Sequence, residues 1–71
     1  MSEIAFEILH SIACLSEEKS GWRKELNLIS WNGKEPKYDL RSWSEDHSKM
    51  GKGITLSDAE LSALKDALNE L

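Results

Sequence analysis

The sequence predicts an α+β fold: four antiparallel strands followed by one C-terminal amphipathic helix, in the order β-β-β-β-α. Three observations predict it. Apolar and polar residues alternate with period two over several short runs. Clusters containing Gly, Asn and Pro separate those runs. A leucine stripe at helical spacing closes the chain.

The first run, FEILHSIACL, predicts a strand over about 6–15. Phe6, Ile8, Ile12 and Cys14 share one parity with His10 among them, while Glu7, Leu9, Ser11 and Ala13 take the other. SEEKSG, ending in Gly21, is a polar connection. The second strand, WRKELNLISW over about 22–31, places Trp22, Leu26 and Leu28 on one face. Arg23, Asn27, Ile29 and Trp31 fall on the other. NGKEP then turns the chain, because Asn32-Gly33 favours positive φ and Pro36 is tolerated at the start of a strand but not inside one.

The third strand, KYDLRSW over about 37–43, alternates cleanly. Tyr38 and Leu40 point one way; Lys37, Asp39, Arg41 and Trp43 point the other. The polar loop SEDHSKMG leads to a short fourth strand, KGITL, over about 52–56. The helix is expected over about 58–70. Ser57 and Glu60 form a capping-box pattern, and Asp58 suits the positive helix N-terminus. Leu61, Leu64, Leu68 and Leu71 make one stripe with Ala67 beside it. That stripe reads as intrachain core, as dimer interface, or as both. One sheet face is expected to pack on this helix, leaving the other to be explained.

Residues 1–71 read as a single domain, and a thin one. A domain of this size buries only about 60% of its unfolded surface, and just 39% of these residues are hydrophobic, five of them alanine. The lone Cys14 cannot form an internal disulfide, and no Cys/His spacing suits structural zinc. Oligomerisation is the remaining staple for a small fold, so a homodimer is expected. The N-terminus has no basic leader followed by an apolar stretch, and no run approaches the length of a membrane span. With a single unpaired cysteine, these features predict a cytoplasmic protein with no membrane association.

The net charge of −4 hides an asymmetry. Segment 19–52 holds eight basic and five acidic residues, for +3, and the remainder carries −7. Such a division marks a local anion-binding surface on an otherwise repulsive protein. By parity that surface collects Arg23, Asn27, Trp31, Lys37, Arg41 and Trp43. Aromatic rings interleaved with cations suit single-stranded nucleic acid: bases stack on the rings and the cations follow the phosphates. The same residues could pack a second core or a dimer interface, and composition leaves the two open.

Other candidates carry less. Trp22 shares the parity of Leu26 and Leu28 and reads as core. His10 reads as a buried or edge histidine, Cys14 as a small core residue, and Glu45-Asp46-His47 as a solvated loop rather than a metal site. No nucleophile motif surrounds any Ser, His or Asp, so no enzymatic activity, cofactor, metal or small-molecule substrate is expected.

YDLRSW at 38–43, followed by the polar loop and GKGITLS at 51–57 running into an acid-capped helix, resembles the transcriptional coactivator positive cofactor 4 family. The run GWRKELNLISWNGKEPKYDLRSW is similar to its short bacterial branch, and the likeness covers about residues 6–68. The resemblance implies a curved four-stranded sheet backed by one helix, dimerising largely through the helices. It also implies grooves that bind single-stranded DNA with little sequence preference, and RNA less well. On matching positions, Trp43 corresponds to a base-stacking tryptophan and Arg41 to a phosphate-contacting arginine. Trp31 stands at the aromatic before the hairpin turn, Lys34 at the turn lysine, and Lys52 at the basic residue opening the last strand. The chain departs from the eukaryotic members at Gly51, where they carry a basic residue; Lys49 then serves instead, or the contact is absent. Arg23 and Lys24 have no clear eukaryotic counterpart, and Arg23 is included on parity and charge alone.

The expectation is a homodimeric single-stranded DNA-binding protein acting in transcription, replication or repair. The alternative is a protein-interaction module whose aromatic sheet face docks a protein partner. Duplex-specific regulation lacks a recognition helix, since the only helix is acidic and leucine-striped.

Overall fold

The computed structural model describes residues 5–71; the first four residues, part of the stretch read as lacking a leader, lie outside the described residues. Strands β1 (Phe6–Glu17), β2 (Arg23–Trp31), β3 (Lys37–Trp43) and β4 (Met50–Leu56) precede helix α1 (Asp58–Leu68). The four strands form one antiparallel sheet in the order β1-β2-β3-β4. The sheet is curved and open, and the helix follows it. No helix among the described residues is long and apolar enough to cross a membrane.

Sequence chemistry sets each boundary. Trp22 falls in the connection before β2, where Gly21 takes φ +97° and its N–H donates to Glu18 O at 2.9 Å. Asn32 and Gly33 both take positive φ, 53° and 73°, the combination that a two-residue hairpin turn requires. The Lys34 N–H closes that turn on Trp31 O at 2.9 Å. At the helix start, the Ser57 hydroxyl accepts from the Glu60 N–H while the Glu60 carboxylate accepts from the Ser57 N–H, completing the capping box.

β1 does not keep the simple alternation that its sequence suggests. Its register against β2 shifts at three places, between Ile8 and His10, Ser11 and Ala13, and Cys14 and Ser16. Each shift places one extra residue on β1, namely Leu9, Ile12 and Leu15. Repeated bulges of this kind bend a strand and increase its twist. They also break the expected grouping. Phe6, Ile8, Ser11 and Cys14 lie opposite Trp31, Ile29, Asn27 and Glu25, whereas Ile12 lines a cleft with His10, Leu28 and Tyr38. Cys14, expected in the core, is exposed.

The two faces of β2 and β3 divide as the alternation predicts, but their burial is reversed. Cα partners across an antiparallel pair share a face, so Arg23, Glu25, Asn27 and Ile29 join Trp43, Arg41, Asp39 and Lys37. This face holds every buried residue described: Glu25, Asn27, Ile29, Asp39 and Trp43. Leu26, Leu28, Tyr38 and Leu40, expected to be innermost, are only half-buried.

The helix does not close that second face. α1 contributes no buried residue, and Leu68 is 55% exposed. Leu26, Leu61, Leu64 and Leu68 instead line an open cavity of about 290 Å³ together with Lys65 and Asn69.

Candidate nucleic-acid interface

The curvature brings opposite ends of the first face together. Trp43 ends β3 and Trp31 ends β2, yet the Phe6 ring lies 5.0 Å from the first and 5.9 Å from the second, tilted by 48° and 49°. His47 lies 5.3 Å from Trp43. Between these neighbours Trp43 retains 0% of its accessible surface.

Arg41 is positioned as carefully. Its Nε and one terminal nitrogen donate to the two oxygens of Asp39, both at 2.7 Å. This bidentate geometry fixes the guanidinium plane, and its carbon lies 4.9 Å from the centre of the Trp31 ring, a cation–π contact. The other terminal nitrogen reaches Gly51 O at 3.4 Å. Thr55 Oγ1 donates to Asp39 at 3.3 Å. Opposite Arg41 stands Gly53, where a Cβ would collide with Arg41 Cβ and Leu40 O. Only glycine permits that approach.

Glu25 is the second buried carboxylate. Asn27 Nδ2 donates to it at 3.0 Å, and His47 Nε2 lies 2.9 and 3.1 Å from its two oxygens. An ionised carboxylate only accepts, so Nε2 carries the hydrogen. Burial raises the Glu25 pKa. The hydrogen bonds from Asn27 and His47, with the charges of His47 and Arg23, outweigh it and hold the carboxyl below its ordinary 4.5. Arg23 Nε lies 3.7 Å from the same carboxylate.

The loop carrying His47 is ordered by Asp46. Ser48 through its hydroxyl and amide, and Ser44 through its hydroxyl, donate to that side chain and pull it down to about 2. His47 itself takes φ +62°, a backbone conformation uncommon outside glycine.

Of the expected site residues, the structure brings Arg23, Trp31, Lys37, Arg41 and Trp43 onto one face. Lys34 is exposed in the hairpin turn, Lys49 is exposed in the β3–β4 loop, and Lys52 is exposed in β4. Arg41 is engaged by Asp39, with 15% of its side chain accessible. Trp22, read as core, is half-buried in the β1–β2 connection. Sequence reasoning missed Phe6, Glu25 and His47 as members of this site. Glu25 shares the odd parity of Arg23 and Asn27, and that signal was available. Nothing local marks Phe6 or His47.

A small α+β chain with rings and guanidinium groups gathered on one face of a curved antiparallel sheet defines a narrow class. Residues 18–67 match the family described as Transcriptional Coactivator p15 (PC4), and the chain belongs to that family, which is nucleic-acid-binding and non-enzymatic. The chain is also 52% identical over 66 residues to a protein of Treponema pallidum (strain Nichols) described as "Uncharacterized protein". That match spans 93% of this chain and 78% of the Treponema protein.

Proposed function

We propose that this chain binds single-stranded DNA as a homodimer, with little sequence preference and with RNA as a weaker ligand. Family membership supports single-stranded DNA binding in general. The observation that carries the reading to a site is the joint placement of Trp31, Trp43, Arg23 and Arg41 on one concave face. Bases stack on Trp31 and Trp43, while Arg23, Lys34, Lys37, Arg41, Lys49 and Lys52 neutralise phosphates. Residues 1–71 then act as one nucleic-acid-binding domain, an accessory factor in transcription, replication or repair, in the cytoplasm.

The second copy seats on the other face, through Leu61, Leu64, Leu68 and Leu71. A compact monomer of 8.1 kDa exposes about 4,500 Å², and this chain exposes 5486 Å². The surplus of about 1,000 Å² matches what one partner contributes to a standard interface. The radius of gyration, 13.0 Å, likewise exceeds the roughly 11 Å of a compact chain this long.

Tryptophan fluorescence, titrated with single-stranded and duplex oligonucleotides at two salt concentrations, tests the reading. Quenching by single strands alone supports it. Six phosphate contacts give a slope of log K against log salt of about −4. Silence with both nucleic acids favours a face that docks a protein.

A further inference from the structure

We propose that Phe6 is an intramolecular stand-in for a nucleobase, and that the start of β1 is a lid which the incoming strand displaces. The inference rests on the single-stranded DNA reading above and adds to it a closed resting state. Trp43 has no accessible surface in the free chain, with Phe6 and His47 both packed against it. No base can stack there until one of them leaves. Phe6 touches Trp31 as well, so its departure opens both stacking platforms at once.

The face that Phe6 covers also holds unmet hydrogen-bonding capacity. Trp31 Nε1, Trp43 Nε1 and Asn27 Oδ1 are all buried with no hydrogen-bond partner. Buried polar atoms are rarely left unpaired, and a phenyl ring offers them nothing. A nucleobase brings a flat π-face together with carbonyl acceptors and amine donors, which suit the two indole N–H groups and the amide oxygen.

The segment is also built to leave. β1 is an edge strand, so unpairing its start disturbs no other neighbour in the sheet. Phe6, Glu7 and Ile8 pair with Trp31, Ser30 and Ile29, and the register shift after Ile8 separates them from the rest of β1. Beyond Phe6, Ala5 exchanges two hydrogen bonds with Asn32 of the hairpin turn, at 2.7 and 3.0 Å. A bulge at Leu9 is therefore the hinge. His47 stays in place, tied to Glu25.

Two variants test the lid against oligothymidylate. Phe6→Ala removes the stand-in ring; if the open form is about a tenth of the resting population, apparent affinity tightens about tenfold. Glu7→Cys with Ser30→Cys, in a Cys14→Ser background, pins the segment through a register pair. Its oxidised form should lose binding at least as strongly as Phe6→Ala gains it, and reduction should restore it. This second comparison decides the matter even if Phe6→Ala folds poorly by circular dichroism. Equal binding by oxidised and reduced forms overturns the lid while leaving the DNA reading intact. Absence of binding by wild type, Phe6→Ala and the reduced variant removes the DNA reading and the lid with it.

Discussion

The two faces of this sheet solve opposite problems. The concave face carries Glu25, Asn27, Asp39 and Arg41, yet it is the buried one, closed by Phe6, Trp43 and His47. The other face carries Leu26, Leu28, Leu40 and the helix leucines, yet Ile54, Leu64 and Leu68 remain exposed. Hydrophobicity alone would bury the second face first. The difference teaches that a single chain satisfies its two buried carboxylates internally but leaves its apolar surface unfinished. The carboxylates tolerate burial because each has partners: a bidentate guanidinium for Asp39, and an imidazole and an amide for Glu25. The leucines have no such internal solution, which is what the proposed second copy would supply.

Substitutions break or sharpen this contrast. The largest effect is expected at Trp43. Truncating a fully buried aromatic costs about 3–5 kcal/mol, so Trp43→Ala should lower the urea midpoint severely before any loss of DNA binding is read. Trp43→Phe, which keeps the contact with Phe6, separates folding from stacking: it should hold the fold and weaken oligothymidylate binding.

Next comes Glu25→Gln, which removes the charge facing His47 and Arg23 and should cost about 2 kcal/mol near neutral pH. The folded Glu25 pKa lies below the ordinary 4.5. Its stabilisation is therefore complete above that value and is lost as pH falls below it toward the folded pKa. Wild type should lose stability over that acid window, and the Gln variant should show a flatter profile there.

Leu68→Lys probes the opposite face. An exposed substitution changes the stability of an isolated chain by no more than about 0.5 kcal/mol. Sedimentation should nevertheless shift from dimer to monomer, and the unfolding midpoint should lose its dependence on protein concentration. Lys34→Ala gives the smallest effect. It should leave the fold untouched, weaken single-strand binding a few-fold, and reduce the salt slope by about 0.7.

Much of the fold was legible because β2 and β3 alternate strictly, because Asn32-Gly33 names its turn, and because Ser57 with Glu60 names a helix start. β1 was not, since its three extra residues change the face that follows each of them, and parity cannot register an insertion in one strand only. The membership of the concave face was also readable from parity at Arg23, Trp31, Arg41 and Trp43. Its burial was not. Trp43 is covered by Phe6, thirty-seven positions earlier in the sequence, and that meeting depends on curvature which no local pattern encodes. His47 escaped for a related reason. A histidine in a polar loop reads as solvated, and only the register of Glu25 opposite Arg41 puts a carboxylate in its reach.

The three tryptophans provide the most direct test of which face takes the strand. Trp31 and Trp43 sit on the concave face, and Trp22 stands outside it in the β1–β2 connection. A ¹H–¹⁵N correlation spectrum, recorded while oligothymidylate is added, resolves their three indole N–H signals separately. The signals of Trp31 and Trp43 should move together and saturate at one equivalent concentration, while that of Trp22 holds still. Movement of Trp22 alone, or saturation with Trp31 and Trp43 unmoved, would contradict binding on the concave face.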